Sequence, residues 1–173
     1  MGDVRAPGTG LWYFAYGSNL HRSIFIDRRQ MRPLDVRWGW LHGYRLTFDI
    51  PVGPGERGVA NIVSEVGART CGALYLLTPD DFDRLDRTEG VHVDLYRRLP
   101  VEVTTGDGAR VSAFAYQSAV VMAGRKPSAR YIGLLVEGAR QHGLPDAYVA
   151  FLRRFELAVD EREGEPGSGA STS

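Results

Sequence analysis

Two short stretches of this sequence carry residue types suited to chemistry. The first reads Tyr13-Phe14-Ala15-Tyr16-Gly17-Ser18-Asn19-Leu20. Gly, Ser and Asn in succession tolerate unusual backbone angles. Gly17 can therefore turn the chain and aim consecutive N–H groups into one small concavity, the geometry that binds oxyanions. Ser18 and Asn19 can also cap a short amphipathic helix over residues 20–25, whose N-terminus would strengthen the attraction for a carboxylate or a developing alkoxide. A plain strand end followed by a tight turn fits the same letters. The second stretch ends at Glu89, just before Gly90. There a carboxylate faces the partial negative charge at a helix C-terminus, which favours its neutral form and raises its pKa, and burial would raise it further. Lys or Arg would suit that position better, so Glu89 is a candidate proton-transfer group, although a glutamate pointing into solvent would read the same.

These residues need elements to position them. The aromatic run at 11–16 has the character of a buried strand. Residues 38–41 and 44–48 read as strand, with Gly39 and Gly43 marking bends or bulges. Gly53-Pro54-Gly55-Glu56-Arg57-Gly58 matches a dinucleotide fingerprint letter for letter. The segment after it is β-branched and extended, where a true fingerprint opens a helix, so this is a hairpin loop. Residues 72–77 form a central strand that runs into a helix capped by Thr78, with Pro79 first, Asp80 and Asp81 at its positive end, Phe82 and Leu85 inward, and Gly90 as its stop. Residues 96–103 and 111–117 form a hairpin around Asp107-Gly108. After a loop at 118–127, a helix capped by Ser128 buries Ile132, Leu135, Val136 and Ala139 and ends at Gly143. Another starts near Pro145, with Tyr148, Phe151, Leu152 and Phe155 on its apolar stripe.

Composition bounds the rest. At 173 residues and 43% hydrophobic content, the chain suits one domain over residues 11–159, with a flexible arm at 1–10 and a charged, then Gly/Ser-rich disordered tail at 160–173. A single cysteine, Cys71, fits a reducing compartment, and no stretch reads as a membrane span or leader, so a cytoplasmic location is expected. Formal net charge is zero, which argues against nucleic acid as a partner. Histidines 21, 42, 92 and 142 are scattered, so no metal and no cofactor is called for. Ser18 directly after Gly17 makes no nucleophile elbow.

Tyr-Gly-Ser-Asn-Leu after an aromatic strand, then Leu85-Asp86-Arg87-Thr88-Glu89-Gly90-Val91 followed by Tyr96, then Pro127-Ser128-Ala129-Arg130-Tyr131 and Gly143-Leu144-Pro145, together resemble the gamma-glutamylcyclotransferase family from about Tyr13 to Phe155. The resemblance implies an α+β fold built on a small mixed β-barrel with flanking helices. It also implies a substrate-binding loop of Tyr16, Gly17, Ser18, Asn19 and Leu20, a catalytic acid/base at Glu89, and Tyr96, Tyr116 and Tyr131 lining the pocket. In such an enzyme the four tyrosines would pack the glutamyl carbons of a small-molecule substrate and donate hydrogen bonds. A non-catalytic module binding glutamyl-type ligands on the same fold is the alternative. A homodimer is neither demanded nor excluded.

Overall fold

The aromatic run forms strand β1 (Leu11–Ala15), which is the seam of a closed barrel. In the computed structural model, which describes residues 10–159, β1 pairs antiparallel with β3 (Gly58–Leu77), Phe14 lying opposite Leu74. On its other side it meets β5 (Arg110–Gln117) in parallel, through Tyr13 and Phe114. Strands β2 (Asp35–Pro51) and β4 (Arg97–Thr105) complete the order β1-β3-β2-β4-β5. The mixed α+β barrel expected from the sequence is therefore present. The expected arm and tail lie outside the described residues, apart from Gly10, which packs against Leu76.

Strands β2 and β3 are longer than the separate short runs that the sequence suggests, and Gly39 does not bend the chain. It pairs in register with Gly72 on one side and Thr105 on the other. A Cβ at Gly39 would lie 2.6 Å from the Thr104 carbonyl oxygen, and one at Gly72 2.3 Å from that of Ala15. Both glycines are there for close approach of neighbouring backbones. Gly43, at φ +84°, is the bulge, where the register shifts between His42 and Tyr44. The glycine-rich run at 53–58 connects β2 to β3 as a hairpin.

Helix α1 (Pro79–Thr88) starts at Thr78, whose hydroxyl oxygen accepts the Asp81 N–H at 3.1 Å, and it ends at Gly90, φ +71°. Helix α2 (Ala129–Gln141) starts at Ser128, whose hydroxyl oxygen accepts the Tyr131 N–H at 3.1 Å. Helix α3 (Asp146–Leu152) buries Tyr148, Val149 and Leu152. Its expected stripe needs correction: Phe151 is 36% exposed and Phe155 lies past the helix end. Seven residues make only about two turns, too few to carry the longer stripe. Among the described residues no helix is long and apolar enough to cross a membrane.

The helix expected at 20–25 is also different. A single tight turn at Ser18–Leu20 is followed by a wide π-type turn at Ser23–Arg28, and neither Ser18 nor Asn19 caps it. The Asn19 side chain is drawn inward instead, to Tyr13 and Glu89. The wide turn buries Ile24 and Phe25, and Phe25 stacks on Tyr75 at 4.0 Å. The tight turn rests directly on α2. A Cβ at Gly138 would stand 2.7 Å from the Leu20 carbonyl carbon and 2.8 Å from the His21 nitrogen.

Candidate active site

The end of β1, the turn after it, the C-terminus of α1, β5 and the first turn of α2 converge on a cavity of about 50 Å³. Tyr16, Gly17, Ser18, Asn19, Glu89, Tyr96, Tyr116 and Tyr131 all line it, together with Tyr13 and Ala60. Leu20 does not. It is fully buried in the core against Gly138, so its part is to anchor the turn.

Among the described residues, Glu89 is the only carboxylate in the lining. It occupies the C-cap of α1, its side chain 14% exposed. Asn19 Nδ2 donates to Glu89 Oε1 at 3.0 Å and to the Tyr13 hydroxyl oxygen at 2.9 Å, and an Arg29 terminal nitrogen lies 3.8 Å from the same Oε1. Burial pushes the Glu89 carboxyl above its ordinary value, while the Arg29 guanidinium and the Asn19 amide oppose the rise without cancelling it. Asn19 itself is 4% exposed, and its Oδ1 is buried with no hydrogen-bond partner among the described residues. That atom is an acceptor in want of a donor.

The tyrosine hydroxyls divide into two groups. Tyr16 donates to the Tyr116 carbonyl oxygen, and Tyr116 donates to Asp86 Oδ1 at 2.6 Å. Asp86 is in turn clamped by Arg98, whose Nε lies 2.9 Å from Oδ1. These two protons are committed to the protein, which corrects the expectation that all four tyrosines donate to a ligand. The Tyr131 hydroxyl accepts the Ala60 N–H at 3.1 Å and, among the described residues, gives its own proton to no acceptor. Tyr13 accepts from Asn19 and does the same. Tyr96 makes no hydrogen bond among the described residues and touches Tyr116 edge-on, centroids 6.3 Å apart. Replacing Tyr116 by Phe is expected to cost about 1–3 kcal/mol in urea unfolding, because Asp86 loses a buried partner. The Tyr96→Phe change should leave the unfolding midpoint unmoved.

The turn is held from behind. Leu20 N–H bonds Gly17 O and His21 N–H bonds Ser18 O, each at 3.0 Å. Tyr75 donates its hydroxyl to Asn19 O at 2.8 Å, and His142 Nε2, 2.8 Å from that hydroxyl, lies 3.0 Å from Leu20 O. A carbonyl only accepts, so His142 carries its proton on Nε2. Carbonyls 17–20 are thus all engaged, and these bonds draw on none of the N–H groups of Gly17, Ser18 and Asn19. Gly17 itself sits at φ −112°, outside the left-handed region. Glycine is needed there for room: a Cβ would come within 3.1 Å of the Tyr131 hydroxyl and 3.3 Å of Ala60 Cβ.

The AIG2-like family model matches residues 69–152. The gamma-glutamylcyclotransferase of Bos taurus is 30% identical over 159 residues, an alignment covering 89% of this chain and 84% of the bovine one. The chain belongs to the gamma-glutamylcyclotransferase family. The gamma-glutamyl cyclotransferase gliK of Aspergillus fumigatus is 29% identical over 175 residues, covering 86% of this chain and 63% of the fungal protein. A solved gamma-glutamyl cyclotransferase structure superposes with a TM-score of 0.74 at 25% identity, covering 86% of this chain and 89% of its own.

Within this cyclotransferase-family site, sequence reasoning misses Tyr13, Ala60 and Arg29. Tyr13 has a readable signal, a polar ring in an otherwise apolar strand. Arg29 and Ala60 have none, since only the folding of the wide turn and of β3 brings them close. His142 is likewise missed. Burial lowers its pKa, the Leu20 carbonyl partly offsetting this and Arg22 adding to it. Its folded pKa lies below the unfolded value of about 6.5. The unfolded chain therefore takes up the proton first, and stability is lost as pH falls through 6.5 toward the folded pKa. A His142→Asn variant should show a weaker acid dependence of its melting temperature over that window.

Proposed function

We propose that this chain converts γ-glutamyl amides into 5-oxoproline and a free amine, with Glu89 as the single acid/base. The observation that carries this reading is a buried carboxyl group with a raised pKa, held by Asn19 in a tyrosine-lined cavity. The substrate brings its own nucleophile. Its α-ammonium gives a proton to Glu89, the freed amine attacks the γ-carbonyl carbon, and a five-membered ring closes through a tetrahedral oxyanion. Protonated Glu89 then delivers that proton to the departing nitrogen as the old C–N bond breaks, and the surplus proton left on the ring nitrogen passes to the again-ionised Glu89 and from it to the released amine. A carboxyl group with a pKa raised toward neutrality can serve in both directions.

The remaining residues position the substrate. N–H groups of Gly17, Ser18 and Asn19 hold an anionic oxygen, either the α-carboxylate or the developing oxyanion. Asn19 Oδ1 is a ready acceptor for the α-ammonium. Tyr96 and Tyr131 donate hydrogen bonds, while Tyr16 and Tyr116 form the wall. Folding the chain into its ring-closing shape contributes up to about 7–11 kcal/mol in well-oriented cases. Cys71 takes no part, since burial pushes its thiol up to about 12; a free, buried thiol suits the reducing cytoplasm in which we place the reaction.

The reading is tested by following 5-oxoproline release from a panel of γ-glutamyl amino acids and γ-glutamyl amines. Tyr96→Phe should lower kcat/KM while Tyr116→Phe, once folded, changes it less. A panel on which the folded protein releases no 5-oxoproline would overturn the reading.

A further inference from the structure

The Arg29 guanidinium faces Glu89 Oε1 at 3.8 Å from an irregular stretch of chain. The Arg29 N–H closes the wide turn by bonding Ile24 O at 2.9 Å, and the next residue, Gln30, has φ +55°. That left-handed conformation is costly for a residue with a Cβ. The stretch is held from α1. Arg84 donates through Nη2 to Gln30 O at 2.9 Å and through Nη1 to Arg29 O at 3.4 Å, and Nη2 also lies 3.7 Å from Met31 Sδ. Asp81 Oδ1, 3.0 Å from Nη2, keeps the guanidinium turned this way. Arg84 lies within α1 and Glu89 caps its C-terminal end, about 7.5 Å further along the axis. Helix α1 therefore grips the backbone of Arg29 at one point and meets its side chain at another.

Without that grip Arg29 has somewhere to go. Its side chain lines a second cavity of about 300 Å³, and its Nε is buried with no hydrogen-bond partner among the described residues. A guanidinium released into that space gains hydration and leaves Glu89. The other titratable groups near Glu89 are Tyr13 from β1, Tyr16 just beyond it, Tyr96 ahead of β4, Tyr116 from β5 and Tyr131 from α2, all kept protonated by burial. Asp86, one turn back on α1, is taken up by Arg98 and Tyr116. The position of Arg29 is thus the variable that matters to the carboxyl group. We propose that Arg84 is a positioning residue for the reaction: its fork on carbonyls 29 and 30 fixes Arg29 beside Glu89, and so sets the pH at which the acid/base becomes competent. This inference rests on the cyclotransferase reading and deepens it.

The deciding variant is Arg84→Lys, which keeps the charge and loses the planar fork. The acid limb of kcat/KM for 5-oxoproline release should move up by about 0.5–1 pH unit, part of the 1–3 that an adjacent opposite charge is worth to a carboxylate. The titration of Glu89 itself, followed by NMR of its side-chain carboxyl carbon in isotope-labelled folded protein, should move by the same amount. In an Arg29→Gln background Arg84→Lys should add nothing, because the guanidinium that it positions is gone. A limb unmoved or lowered in folded Arg84→Lys, or the same upward shift with Arg29 already replaced, would overturn the proposal. Loss of the cyclotransferase reading looks different: the unaltered protein then releases no 5-oxoproline, while the NMR titration of Glu89 still reads the effect of Arg84 by the same criteria.

Discussion

A Glu89→Gln variant is expected to release 5-oxoproline about 10²–10⁴-fold more slowly than the unaltered chain, with no fall in melting temperature. Gln keeps the shape of the carboxyl group and an acceptor oxygen for Asn19 Nδ2, now 3.0 Å from Oε1, but it cannot exchange a proton. A purely structural glutamate would give the opposite pair of results, turnover kept and stability lost. The stability arm follows from the direction of the pKa shift. Burial raises the folded pKa of Glu89 above 4.5, so the folded chain holds this proton more tightly than the unfolded one. The group favours folding most below the unfolded pKa, and that contribution is lost as pH rises through the folded pKa. Gln is spared this loss, so the variant's advantage in Tm should grow with pH across the window. The same shift sets the activity profile. The reaction begins with ionised Glu89, so the acid limb of kcat/KM should lie above the ordinary carboxylate range. Arg29 opposes the rise, so Arg29→Gln should move the limb higher still.

The second large effect is expected from a residue that touches no substrate. Gly138→Ala should lower kcat/KM about 10²-fold and cost about 1–3 kcal/mol of stability. A new methyl 2.7 Å from the Leu20 carbonyl carbon and 2.8 Å from the His21 nitrogen meets backbone, which cannot rotate away. Either α2 or the turn must move. Misplacing the turn by about 1 Å carries the activity cost, and overpacking carries the stability cost. The comparison is Gly133→Ala on the same helix, where an added Cβ meets nothing within 4 Å. That change should be neutral or stabilising by up to about 1 kcal/mol, as usual for an exposed helical glycine. Equal losses in the two variants would remove the turn-on-helix contact as the explanation.

Local signals make much of this molecule legible. Thr78, Pro79 and Gly90 bracket α1 because capping chemistry depends on near neighbours, and the same holds for Ser128 and α2. The glycine run at 53–58 is separable from a nucleotide loop because residues 59–63 beyond it are β-branched and extended. The rise in the Glu89 pKa is also readable in direction, although burial, not the helix end, is its largest cause. The illegible features depend on residues far apart in sequence. Gly39 looks like a bend until Thr104 is known to lie against it. Asn19 looks like a helix cap until Glu89, 70 residues away, claims its amide. The tyrosines show why residue type underdetermines role: Tyr16 and Tyr116 spend their protons on the protein, and only Tyr116 and Asp86 brought together reveal it.

The barrel closes where β1 meets β5 through Tyr13 and Phe114, the one strand pair in it that runs parallel. The Tyr16 hydroxyl, donating to the Tyr116 carbonyl, spans that same junction. The junction is thus a latch as well as a wall, and whatever occupies the tyrosine cavity bridges its two halves. Opening fluctuations of the barrel at this point would dismantle the site. A bound glutamyl ligand should therefore slow hydrogen exchange most at the amides of β1 and β5 flanking the latch, and least in the distal β2–β3 hairpin, turning occupancy into a local gain in rigidity.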